Sequence, residues 1–190
     1  MRHVPLRIES CSRRAQKGAV LFVSLIFLLI LTLLGVMLAR IQSSEERMAQ
    51  NDSNHELAVE AAEAALRLAE SNIKQGLYSQ AQFTANAAGL YTLNPAVGSV
   101  YSPGYDWMAQ AAAGNTIAYN GSALASVPAA NPPQFIIENL PAVALPGANI
   151  GSCGSYSGGN GCTTVYQITT HATGGDATGN ATLRSIYQQE

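Results

Sequence analysis

Residues Ala19 to Ala39 read AVLFVSLIFLLILTLLGVMLA, 21 consecutive positions without a charged side chain. Coiled as a helix, about 20 apolar residues match the roughly 30 Å hydrocarbon core of a bilayer. A buried core helix of that length is out of proportion to a chain of 190 residues. A secretory signal has a shorter apolar run, about 7–15 residues, with a small-x-small cleavage site behind it. Met37 and Ala39 make a poor pair for such a site. The stretch therefore predicts a retained membrane helix. Arg13, Arg14 and Lys17 precede it and only Arg40 follows directly. The positive-inside rule then places the N-terminus in the cytoplasm and exports the C-terminal body.

Charge is distributed in zones around this stretch. Residues 1–18 carry Arg2, Arg7, Arg13, Arg14 and Lys17 against Glu9. Residues 40–74 hold four basic and seven acidic side chains, whereas Gln75 to Leu183 has no Lys or Arg and only Asp106, Glu138 and Asp176. The overall charged share, 12%, is about half that of an ordinary soluble domain. The net charge of −2 excludes a basic nucleic-acid binder, so no nucleic-acid partner is expected. An apolar share of 47% is too high for a disordered chain.

No proline occurs between Pro5 and Pro95, so nothing forces the helix to stop at the membrane surface. Glu56, Glu60, Glu63, Arg67, Glu70 and Lys74 recur at spacings of three and four, which sets them on one helical face. The opposite side carries Leu57, Ala58, Ala61, Ala62, Ala65, Leu68, Ala69 and Ile73, a stripe suited to lie flat on a sheet. Gln50 to Asn54 are five poor helix formers in a row, and a bend or loosened turn is expected there. A helix from Ala19 to about Lys74 would be roughly 85 Å long at about 1.5 Å per residue.

Of the three cysteines, Cys11 lies in the cytoplasmic leader and Cys153 and Cys162 in the exported body. A disulfide across the short intervening loop is the preferred reading. The alternatives are two free thiols or half of a metal site with His171, which lacks further ligands nearby in sequence.

In the body, Gln134 to Leu140 is a β-prone run between Pro132-Pro133 and Pro141. Thr164 to His171 alternates in polarity, and Ala181 to Gln188 gives a last strand after the turn-rich stretch that begins at Gly174. An antiparallel meander packed on the alanine stripe is the simplest arrangement. Tyr91, Tyr101, Tyr105, Trp107 and Tyr119 lie in a stretch with no clear periodicity, and core packing is preferred over a binding site for them. No catalytic constellation stands out. Gly158-Gly159-Asn160-Gly161 lacks the lysine of a phosphate loop, and Asp106 and Glu138 read as isolated surface or turn acids. No enzyme, cofactor or metal site is expected.

The leader ends Gln16-Lys17-Gly18 immediately before the apolar run, and here the sequence resembles a type IV pilin precursor. More closely it resembles the minor pilins of the PilX type, through LLILTLLG at 28–35, ERMAQN at 46–51 and AAEAALR at 61–67. The resemblance covers about residues 16–70 and implies an α+β pilin-like fold, a long N-terminal helix on a small C-terminal antiparallel sheet. The domains it implies are a leader peptide at 1–18, a membrane and assembly half-helix at 19–39, an amphipathic half at 40–75 and an exported head at 76–190.

It further implies cleavage between Gly18 and Ala19 by a prepilin peptidase and N-methylation of Ala19. Removing the leader would take the formal charge from −2 to −6. The implied function is pilus initiation and assembly in support of motility or adhesion. The implied partners are other minor pilins, the major pilin and the inner-membrane assembly machinery, and the implied location is the inner membrane and then the fibre. Major pilins have a glutamate as the fifth mature residue, facing a neighbour's methylated amine. Here that position is Val23, and under a simple stacking picture only a subunit with nothing beyond it can omit the acceptor. The expected place is therefore the pilus tip. The rival readings are a minor pseudopilin of a type II secretion system, a tip adhesin and an ordinary bitopic membrane protein.

Overall fold

The computed structural model describes residues 19–96, 98–122, 124, 127, 131–147, 153, 156, 161–175 and 179–189; the leader 1–18 lies outside them. The chain divides into two compact units, Met1–Arg47 and Met48–Glu190. Helix α1, Ala19–Lys74, contributes to both. From Ala19 to Ala39 it is apolar on every side, and all of its described residues in the first unit are exposed.

In the second unit α1 keeps its predicted stripe. Ala58, Ala61, Ala62, Ala65, Ala69 and Ile73 are buried, and Asn54 extends the buried row by one turn. Gln50 to Asn54, where a loosened turn was expected, stays helical. Tertiary packing overrides the poor propensity. Gly174 and Gly179, at either end of the turn between the last two strands, press on the backbone of Asn54, and a β-carbon on Gly179 would come within 2.7 Å of its carbonyl carbon. Only residues without a side chain allow that approach.

The sheet is built on three antiparallel strands, β3 (Gln134–Ala144), β4 (Cys162–Thr173) and β5 (Asn180–Gln189). Two short strands from the unpatterned region join the other side of β3. β1 (Leu90–Thr92) pairs with it in parallel, Leu90 opposite Ile137, and β2 (Ile117–Ala118) pairs antiparallel at Phe135. The whole is therefore a mixed sheet around an antiparallel centre. β3 continues past Pro141, where its predicted strand ended, through a register shift between Leu140 and Val143. Proline has no N–H to donate, so it sits where the ladder lapses.

The face toward α1 packs Phe135, Ile137, Tyr166 and Ile168 on Ala65, Ala69 and Ile73, with Phe83 of the short helix α2 (Gln80–Thr84) and Leu90 completing the cluster. Ala172 and Ala181 meet Ala58, Ala61 and Ala62 beside it. Small side chains on the helix let the backbones approach, while bulk comes from the sheet. The outer face is also covered. Ile136 packs with Tyr91 and Trp107, the latter opening helix α3 (Trp107–Ala112), and Tyr101 and Tyr105 lie against them. The scattered aromatics are thus the second layer of the core.

Candidate assembly site

Of the residues singled out for processing, Gly18 lies outside the described residues and Ala19 opens α1. From Val20 to Ile41, seventeen large apolar side chains are 42–73% exposed. The hydroxyls of Ser24 and Thr32 return to their own helix, donating to the carbonyls of Leu21 and Leu29 at 2.8 and 2.9 Å. Neither hydroxyl of the uncharged stretch Ala19 to Ala39 therefore needs water, as a helix in hydrocarbon or in an apolar bundle requires. By length and composition α1 is sufficient to cross a membrane. Val23 is 61% exposed and lines a shallow groove with Ala19, Val20, Ser24 and Phe27, so this surface presents apolar side chains and one hydroxyl but no carboxylate.

Residues 17–67 match the family described as PilX N-terminal. The PilX-like region is 51 residues of the 190 and holds the exposed rod and most of the alanine stripe. The sheet and its covering loops lie outside it. No curated protein and no solved structure matches the chain.

On the charged side of α1, Arg67 donates to Glu63 at 3.4 Å. Both ends are largely exposed, so the pair contributes at most about 0.5 kcal/mol. Glu70, the next acid on that face, accepts instead from the Ser185 hydroxyl of β5 at 3.4 Å.

Beyond the PilX-like region, Cys153 and Cys162 form a disulfide, with Cα atoms 5.6 Å apart. The loop it closes is also tied by Tyr156. The Tyr156 hydroxyl donates to the Leu93 carbonyl at 3.0 Å, and its carbonyl accepts from Asn139 Nδ2 at 3.0 Å. Asn139 is fully buried and also donates to Gln80 Oε1 at 2.8 Å.

Asp106 and Glu138 play separate parts. Asp106 caps α3, accepting from the Ala109 N–H at 3.0 Å. Glu138 is fully buried, not a surface acid. It accepts from Ser99 Oγ at 2.6 Å, from the Val100 N–H at 2.6 Å and from Gln167 Nε2 at 2.8 Å. Arg184 closes the cluster, donating to Ser99 Oγ at 3.2 Å with its guanidinium 4.9 Å from the Tyr101 ring centre.

His171 stacks on Trp107 at 5.2 Å with rings nearly parallel, and its Nδ1 meets Thr182 Oγ1 at 3.1 Å. Burial holds its pKa below the ordinary 6.5. Tyr105 is pushed up to about 12, chiefly by burial and further by Tyr91 and Glu138. Both shifts favour neutral forms, as a packing layer requires. The Glu138 cluster leaves no local mark in the chain, because its donors come from strands and loops far apart.

Proposed function

We propose that the chain is a PilX-type minor pilin that takes part in initiating and assembling a type IV pilus. The observation that carries this reading is the rod of seventeen exposed apolar residues from Val20 to Ile41, lying inside the segment that matches the PilX N-terminal family. A helix with that surface is at home in lipid or among other apolar helices, and it continues into the residues that hold a folded head. A structural role follows, with other pilins as partners.

In this reading a prepilin peptidase cleaves between Gly18 and Ala19 on the cytoplasmic side and Ala19 becomes N-methylated. Loss of a leader with five basic residues and one acid frees the rod to leave the bilayer end first. Val23 supports a place at the tip: without a carboxylate the subunit offers nothing to the amine of a further copy, and burying an unpaired ammonium is costly. Its own Ala19 amine still reaches a neighbour's glutamate. The protein therefore starts fibres and thereby supports motility or adhesion.

The test is mass mapping of the N-terminus from cells with and without prepilin peptidase. A methylated Ala19 terminus that depends on the peptidase is expected. An intact Met1 terminus in both strains overturns the reading. Immunogold labelling tests the position, and regular spacing along shafts refutes the tip.

A further inference from the structure

The β3–β4 ladder stops short of the end of β4, and a cavity opens there on the outer face of the sheet. The Ile137 N–H of β3 donates to Gly89, on the β1 side, so the even-numbered residues of β3 turn their main-chain groups to β4. Gln134 and His171 are the last such pair. One step further Thr173 lies abreast of Pro132, and proline has no N–H to give. The segment leading into β3 therefore has no donor for the Thr173 carbonyl. The Thr173 hydroxyl, on the same face as His171 by strand alternation, is buried without a hydrogen-bond partner.

The cavity holds about 270 Å³, just below the about 300–1,000 Å³ of sites for drug-sized ligands, so it suits a single ring. It is lined by Met108 and Ala111 of α3, by Pro132, and by Gln134, His171 and Thr173 of the sheet. These parts are held in place. Gln134 donates to the Pro132 carbonyl at 3.1 Å and accepts from the Thr116 hydroxyl at 2.7 Å. His171 stacks at 5.2 Å on Trp107, which opens α3. Among the described residues no Asp, Glu, Lys or Arg lines the cavity, and burial keeps His171 toward its neutral form. Met108 is 71% exposed, a large apolar side chain left open to water. The cavity thus calls for an uncharged ligand with an apolar body and one O–H group that both donates and accepts. A phenol meets that demand. A sugar ring does not, since several of its hydroxyls would lie against apolar side chains.

We propose that this cavity receives a tyrosine side chain from a partner protein. The phenol would donate to the Thr173 carbonyl and accept from the Thr173 hydroxyl. The ring would lie against Met108, Ala111 and Pro132, and a thioether makes favourable contacts with aromatic rings. Tyrosine seated in a pocket is a frequent anchor of protein–protein contacts. A second copy of this chain is a poor fit, because its eight tyrosines are all buried or half-buried and none projects. The proposal concerns the head alone and does not depend on processing after Gly18.

The probe is a five-residue peptide with one central tyrosine among glycines, titrated onto the full isotope-labelled chain in an uncharged detergent. Amide and methyl NMR shifts follow binding. The same peptide with phenylalanine, methyl glucoside and p-cresol serve as controls. Saturable shifts at Met108, Ala111 and Thr173 are expected. The tyrosine peptide should bind about tenfold tighter than the phenylalanine one, and that preference should fall to about threefold or less in Thr173→Val, where one hydrogen bond is lost. Absent saturable shifts, shifts confined to other residues, or equal binding of the phenylalanine peptide would each overturn the proposal. So would tighter binding of methyl glucoside at these residues, binding of p-cresol without the peptide, or an undiminished preference in a folded Thr173→Val. The tyrosine–phenylalanine comparison on the wild type decides even where the variant fails to fold.

Discussion

Replacing Glu138 by alanine should loosen the outer layer of the head before it loosens the sheet. The carboxylate is fully buried and takes three donors at 2.6–2.8 Å. Hydrogen bonds to a charged group are each worth about 1.5–3 kcal/mol, and burying the ion opposes them by several kcal/mol. In the variant the Val100 N–H and Ser99 hydroxyl are near enough to the surface to reach water, so part of the loss is recovered. Gln167 keeps only its 3.3 Å contact to Ser99. A net destabilisation of about 2–4 kcal/mol remains, or about 8–16 °C in Tm at about 4 °C per kcal/mol for a unit of this size. The single tryptophan, Trp107, lies in the affected layer and gives a local probe by fluorescence, while far-UV circular dichroism follows the sheet. The Val100 and Tyr101 amides should exchange faster at temperatures where β3 and β4 remain protected. A Tm within about 1 °C of wild type with unchanged Val100 exchange would refute the view that this carboxylate fastens the loop.

Two further predictions concern the same unit. Removing the Cys153–Cys162 bridge, whose ends have a sequence separation of 9, should cost about 2–3 kcal/mol on the chain-entropy estimate; thermal unfolding of the double serine variant against the oxidised wild type measures it. His171 is held below its ordinary pKa of 6.5 by burial, so the unfolded chain binds its proton first as pH falls. Stability should therefore be full above about 6.5 and decline as pH drops toward the folded value. The decline should flatten in His171→Gln, as read from urea midpoints at pH 7.5, 6.5 and 5.5.

The parts of the fold legible in the sequence are those with a repeating period. The run from Ala19 to Ala39 needs only its length, and the alanine stripe from Ala58 to Ile73 recurs every three or four residues. Of the three C-terminal strands, β4 shows alternation, while β3 shows as a β-prone run between prolines and β5 as a last strand after a glycine-rich turn, although β3 runs four residues beyond Leu140 because a bulge absorbs Pro141. β1 and β2 span three and two residues, too few for any period to register. They exist through pairing to β3, Leu90 with Ile137 and Ile117 with Phe135. Glu138 was opaque for the same reason. Its donors Ser99, Val100 and Gln167 stand 39, 38 and 29 residues away, and nothing local distinguishes a buried acid with three partners from a solvated one.

The two halves of α1 obey one rule with different residues. Between Asn54 and Ile73 the buried positions are almost all alanine, because the chain's own sheet supplies the bulk that covers them. Between Val20 and Ile41 the large apolar side chains are leucine, isoleucine, valine, phenylalanine and methionine, seventeen in number and 42–73% exposed. A fully exposed side chain of this kind forgoes about 1.5–3 kcal/mol relative to burial. At roughly half exposure the rod forgoes on the order of 20 kcal/mol in water, more than the about 5–15 kcal/mol by which a folded domain is stable. No stability of the head can offset that, so extraction from a bilayer into water is excluded as a free intermediate. In the pilin proposed above, the rod would leave lipid only by moving onto other apolar helices as it goes. This favours stepwise transfer into a bundle over release and recapture of the subunit.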